Sequence, residues 1–179
     1  MKLLITSILF SFSFSLFSQC KGFEQKKDDF KGVNEITTLW IANSTKLKGN
    51  KLQYRVEKDD SKTVLIIKSV LAQKTTVPST SEIYFINDKG DKLKFLVKEE
   101  YETTEIQTAY GKGHELKASF FVPDDLLEIW NSSFNRCRLY YGDESLTYEF
   151  NHAKNLKLFH NALNCYKEAY AKQNPKNNK

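Results

Sequence analysis

The chain has 179 residues, with 27 lysines and arginines against 22 aspartates and glutamates, a net charge of +5. That length suits one ordinary domain, large enough to bury its own core. Both signs of charge are mixed along most of the chain and no arginine-rich, aromatic-interleaved patch stands out, which argues against a nucleic-acid partner.

The first element is not part of the fold. Met1-Lys2 is a positively charged start, and Leu3 to Phe17 is an apolar run of about fifteen residues rich in Leu, Ile, Phe and Ser. Such a run suits a secretory signal and falls short of the roughly 20 residues needed to span a bilayer. We therefore expect a signal peptide over residues 1–19 and an exported protein. Without that stretch 160 residues remain, and since Lys2 is its only charged residue, 26 basic side chains stand against 22 acidic ones. A cut after Ser18 would place bulky Leu16 where a small residue is usual. Leu16-Phe17-Ser18-Gln19-Cys20 resembles instead the lipobox of bacterial lipoproteins, in which a leucine and small residues precede a cysteine that becomes lipid-modified. That resemblance implies lipidation at Cys20, membrane attachment through the lipid, and a place in the bacterial periplasm or at the outer membrane. The three cysteines are Cys20, Cys137 and Cys165, an odd number for an exported protein. With Cys20 lipidated, Cys137 and Cys165 remain as one disulfide pair. The alternative is a soluble secreted protein whose Cys20 is free or forms a dimer.

Residues 20–35 carry many charges and few apolar side chains and read as a tether. A single β-rich domain is expected over residues 36–171. Its strand-like segments run from Ile36 to Ala42, Leu52 to Lys58, Val64 to Leu71, Ile83 to Asn87, Leu93 to Lys98, Tyr101 to Thr108 and Leu116 to Val122. Lys51 to Glu57 alternates polar and apolar, and Lys46-Leu47-Lys48 and Lys92-Leu93-Lys94 read as solvated strand faces. Asn87-Asp88-Lys89-Gly90-Asp91 is the clearest hairpin, with Gly90 free to take a positive φ. Gly111-Lys112-Gly113-His114 reads as a flexible hairpin loop, since it lacks the spacing of a phosphate-binding loop.

Pro123, followed by Asp124 and Asp125, marks the start of a short helix bearing Leu126, Leu127, Ile129 and Trp130. Two further strands are expected, Arg136 to Tyr141 and Leu146 to Phe150. Asn151 is the expected cap of a final amphipathic helix to about Ala171, with Leu156, Phe159, Leu163, Tyr166 and Tyr170 as its core stripe. Residues 172–179 should fray. The expected class is mainly β, a β-sandwich or related antiparallel fold with these two helices. The order of a cysteine-bearing strand, a strand and a cysteine-bearing helix resembles the carboxyl-terminal part of small periplasmic β-sandwich proteins such as the invasion-associated locus B family. The resemblance covers about the last fifty residues and bears on architecture only.

Little in the chain points to catalysis. His152 and His160 lie eight residues apart, not the four that would put two zinc ligands on adjacent turns, and His114 stands alone. We expect no metal site and no cofactor. Glu99, Glu100, Glu102 and Glu105 form one carboxylate cluster and Asp124, Asp125 and Glu128 another; both suit solvated positions better than an acid–base pair. Asn43-Ser44-Thr45 and Asn131-Ser132-Ser133 match the glycosylation pattern, which matters only in a eukaryotic secretory pathway. Trp130, Tyr140, Tyr141 and Tyr148 form a possible binding face, because Tyr and Trp combine apolar area with a polar handle; the competing reading buries alternate members in the core. The leading expectation is thus a non-enzymatic cell-envelope module that binds an unknown protein or small ligand. The alternatives are an inhibitor or immunity-type partner of a secreted enzyme, and a hydrolase with an unrecognised carboxylate site.

Overall fold

The computed structural model describes residues 20–28, 33–44, 51–59, 62–109, 111–150 and 153–175. The expected signal peptide, Lys46-Leu47-Lys48, Asn151, His152 and residues 176–179 lie outside them. The described residues form a mainly β, antiparallel, sandwich-like fold with a short helix and a long carboxyl-terminal one, as expected.

The strands are β1 (Phe23–Asp28), β2 (Val33–Thr38), β3 (Ile41–Ser44), β4 (Lys51–Asp59), β5 (Lys62–Leu71), β6 (Thr76–Val77), β7 (Glu82–Asn87), β8 (Lys92–Val97), β9 (Tyr101–Glu102), β10 (Thr104–Thr108), β11 (Gly111–Val122), β12 (Phe134–Tyr141) and β13 (Glu144–Glu149). The helices are α1 (Asp124–Ile129) and α2 (Ala153–Gln173). Along the main sheet the order is β1-β2-β4-β5-β11-β8-β7-β12-β13, with β3 also on β4 and β10 also on β11. Where β11 meets β8 only Phe120↔Val97 and Phe121↔Leu96 pair, so the sheet bends there into two halves. The halves face each other across one core: the Tyr148 hydroxyl of β13 donates to Ser69 Oγ of β5 at 3.0 Å, and the Tyr54 ring of β4 lies 5.3 Å from Phe150.

Period-two alternation decides which side chains enter that core. On β7 Ile83 and Phe85 are buried, on β8 Leu93, Phe95 and Val97, and on β4 Leu52, Tyr54 and Val56. Trp130, fully buried after α1, packs against Phe85, Phe95 and Phe159 with ring centroids 4.6, 5.1 and 5.3 Å away. α2 lies against β1, β2 and β3 and closes the core with Phe159, Ala162, Leu163 and Tyr166. Leu156 and Tyr170, the other members of its expected stripe, are half-buried against the same core.

Two expected strands are split. Ile36 to Ala42 breaks at exposed Leu39 and Trp40, and Tyr101 to Thr108 breaks at buried Thr103. The Asn87–Asp91 hairpin forms as read, with Gly90 at φ +89° and the Asp91 amide donating to Asn87 Oδ1 at 2.9 Å. Gly111 to His114 is not a loop, because these residues pair with Thr108 back to Glu105 as the start of β11.

The expected tether is a correction. Phe23–Asp28 pairs along its whole length with β2, so backbone hydrogen bonds order a segment whose side chains are mostly polar. Gly22, at φ +84°, brings this segment onto α2, where a Cβ would stand 3.3 Å from both Ala162 and Leu158. Cys165 continues the strip made by Leu158 and Ala162 at helical spacing, and its sulfur bonds that of Cys20 with Cα atoms 5.8 Å apart. The expected Cys137–Cys165 bond is therefore absent. Cys137 is a free, fully buried thiol, turned inward on β12 beside Leu139 and Tyr141, and burial pushes its pKa up. Lipidation at Cys20 and this bond exclude each other, because a sulfur in a disulfide has no valence left for a thioether.

Candidate functional site

The face of β8, β7, β12 and β13 turned away from the core carries the best-developed surface site. The same alternation that buries Phe85 and Phe95 turns Lys92, Lys94 and Leu96 of β8 outward, with Glu82, Tyr84 and Ile86 of β7. On β12 a register shift between Phe134 and Arg136 resets the pattern, after which Cys137, Leu139 and Tyr141 point in and Arg136, Arg138 and Tyr140 point out. Cross-strand pairing builds rows from these residues: Lys94, Tyr84, Arg138 and Thr147 in one, and Leu96, Glu82, Tyr140 and Ser145 in the next.

Tyr84 and Tyr140 meet edge to face, with centroids 5.6 Å apart and planes at 87°. Tyr84 donates its hydroxyl to Glu82 at 2.6 Å, and Lys94 bonds the same carboxylate. The bond from Lys94, and secondarily that from Tyr84, holds the Glu82 carboxyl below its ordinary pKa, while Lys94 and Tyr84 are raised by the same contacts. Arg138 donates from Nε to Thr147 Oγ1 at 2.8 Å and from Nη1 to the Tyr140 hydroxyl at 3.3 Å. Tyr140 is 40% exposed and Leu96 53%. A shallow depression of about 260 Å³ is bordered by Glu82, Tyr84, Ile86, Lys92 and Tyr140. This arrangement offers aromatic edges, hydroxyls and cations to a ligand laid across it, with Lys94 over the Tyr84 ring and Arg138 over that of Tyr140.

Of the four aromatic residues expected to form a binding face, Tyr140 alone is on it. Trp130 is fully buried, and Tyr148, paired with Cys137, is turned inward, as is Tyr141. An adjacent pair on a strand cannot share a face, so Tyr140 and Tyr141 were bound to separate. Tyr84, Arg138 and Lys92 were missed as site residues, although the alternating strings of β7 and β8 carried the signal.

The other expected groups do not converge. Glu99, Glu100, Glu102 and Glu105 are exposed; Glu102 pairs with Lys74 at 3.3 Å and Glu105 with Lys112 at 2.9 Å. Asp124, Asp125 and Glu128 are exposed on α1, where Asp124 accepts from the Tyr170 hydroxyl at 3.0 Å. His114 is half-buried on β11, while His160 is buried on α2 with neither ring nitrogen hydrogen-bonded among the described residues. Among the described residues no three His, Cys, Asp or Glu side chains gather as metal ligands would, and no helix is long and apolar enough to cross a membrane. A second hollow of about 440 Å³, between α1 and α2, is bordered by Leu127, Lys167, Tyr170 and Pro175. No protein-family model matches the chain, and no curated protein or solved structure is significantly similar to it.

Proposed function

We propose that this protein is an exported binding module that acts by recognition and not by turnover, through the outer face of β8, β7, β12 and β13. The observation that carries the reading is the exposed Tyr140 ring, set against Tyr84 and flanked by Arg138 on an open sheet face. Rigid aromatic side chains with polar tips are effective anchors, since they give contact area at low entropic cost, and arginine is their usual companion at binding surfaces. Export is supported by the apolar amino-terminal segment and by a disulfide, which persists outside the reducing cytosol. With the Cys20 sulfur engaged, attachment to an envelope would come from the bound partner and not from a lipid.

The test is site-specific photo-crosslinking in the native host. A photoreactive residue at position 140 should capture a partner, whereas one at Lys117, on the outer face of β11, should not. Equal capture, or none, from both positions would remove this face as the binding surface.

A further inference from the structure

We propose that β13 takes up an extended strand from a partner protein along its open edge. The proposal rests on the reading of the face of β8, β7, β12 and β13 as the binding surface, and it adds the class of partner and the way it docks. β13 ends the main sheet, and among the described residues no strand pairs with its far side. In an antiparallel ladder the N–H and C=O of one residue point the same way, and those of the next residue point the other way. The Phe150 amide donates to the Asn135 carbonyl at 2.8 Å, in step with the pairing of Cys137 with Tyr148 and of Leu139 with Leu146. Even-numbered residues of β13 therefore bond to β12, and the N–H and C=O groups of exposed Ser145 and Thr147 point outward. Such groups recur every two residues, about 6.8 Å apart, a spacing that another polypeptide strand matches.

Charges on an edge strand, lysines above all, discourage such pairing. β1 carries the Glu24–Lys26 ion pair at 3.4 Å and β10 is flanked by the Glu105–Lys112 pair at 2.9 Å, whereas Ser145-Leu146-Thr147-Tyr148 has no charge, proline or bulge. Leu146 marks the open side directly: it turns inward opposite fully buried Leu139, yet it is itself only half-buried. An apolar side chain on an added strand would cover it. On the outer face Arg138 donates from Nε to Thr147 Oγ1 at 2.8 Å, which holds its guanidinium towards β13. Neighbouring strands lie about 4.8 Å apart, so a carboxylate opposite Thr147 would reach Arg138. Alternation then fixes the segment that fits, an acidic residue facing out with apolar residues facing in on either side of it. Two copies of β13 paired about Thr147 would set threonine against threonine and bring Arg138 no carboxylate, which favours a different protein.

The experiment is amide hydrogen exchange of the purified protein, disulfide intact, read by NMR with a synthetic peptide in which valine alternates with glutamate. The peptide should slow exchange at Ser145 and Thr147 by about tenfold or more, and leave Leu146 and Tyr148, already bonded to β12, unchanged. The same peptide N-methylated at its glutamates, whose nitrogens would face Thr147, should have no effect. Nor should the parent peptide act on Thr147→Pro, which removes one outward N–H from an edge strand. Thr147→Val keeps the backbone and should still bind, while Arg138→Ala should weaken binding several-fold; thermal melts confirm that each variant is folded. No protection by the peptide, equal protection by its N-methylated form, or protection of Ser145 and Thr147 that rises with protein concentration alone would overturn the proposal, the last because it makes the occupant a second copy. If the edge stays unprotected while position 140 crosslinks a partner, the binding face stands and strand addition falls; failure of both removes both.

Discussion

Breaking the Cys20–Cys165 bond tests the feature that most changes the picture of this protein, because it clasps to α2 a segment whose composition reads as a tether. The bond spans 145 residues, and constraining so long a loop disfavours the unfolded chain by about 5 kcal/mol in the loop-entropy model. For a domain of this size that corresponds to about 10–20 °C in melting temperature. The assay is thermal and guanidinium unfolding of the protein with and without reductant, beside a Cys20→Ala/Cys165→Ala variant, with peptide mapping under non-reducing conditions. We expect mapping to find Cys20 joined to Cys165, and Cys137 to be alkylated only after unfolding because its thiol is fully buried. Cys137→Ala should keep the full difference between oxidised and reduced forms. Identical melts in the two redox states, a disulfide at Cys137, or a lipid on Cys20 would refute the reasoning.

Three further outcomes follow from the core. Phe159, 1% exposed and packed against Tyr54 and Trp130, should cost about 3–5 kcal/mol when replaced by alanine, read from denaturant midpoints; a variant as stable as the parent would contradict the packing of α2. Burial, with a smaller contribution from the Lys167 charge, lowers the pKa of His160 from 6.5 to about 4. Its contribution is fully present above the unfolded pKa and is lost as pH falls from 6.5 towards 4, a change of about 3 kcal/mol that His160→Leu should remove from a pH series of unfolding curves. Tyr148→Phe deletes the donor to Ser69 and leaves that buried hydroxyl unpaired, so it should cost about 1–2 kcal/mol; Tyr148→Phe combined with Ser69→Ala should recover part of the loss.

The sequence by itself determined the class of fold and most of its elements. Alternation places Leu52, Tyr54 and Val56 on one face of β4, and three- and four-residue steps collect Phe159, Leu163 and Tyr166 on one side of α2, because backbone periodicity is a local property. The same alternation already separated Tyr140 from Tyr141. Tertiary structure decided what local patterns do not contain. Polar Phe23–Asp28 becomes a strand because β2 supplies hydrogen-bond partners and α2 a surface for Gly22, so its composition was no guide. The count of cysteines is indifferent to position, whereas the inward turn of Cys137 and the approach of residue 20 to the Leu158–Ala162–Cys165 strip select one pairing. The candidate site depends likewise on strand order: Tyr84 and Lys92 belong to one hairpin, but Arg138 lies far from them in the chain and joins their surface because β12 pairs with the other side of β7.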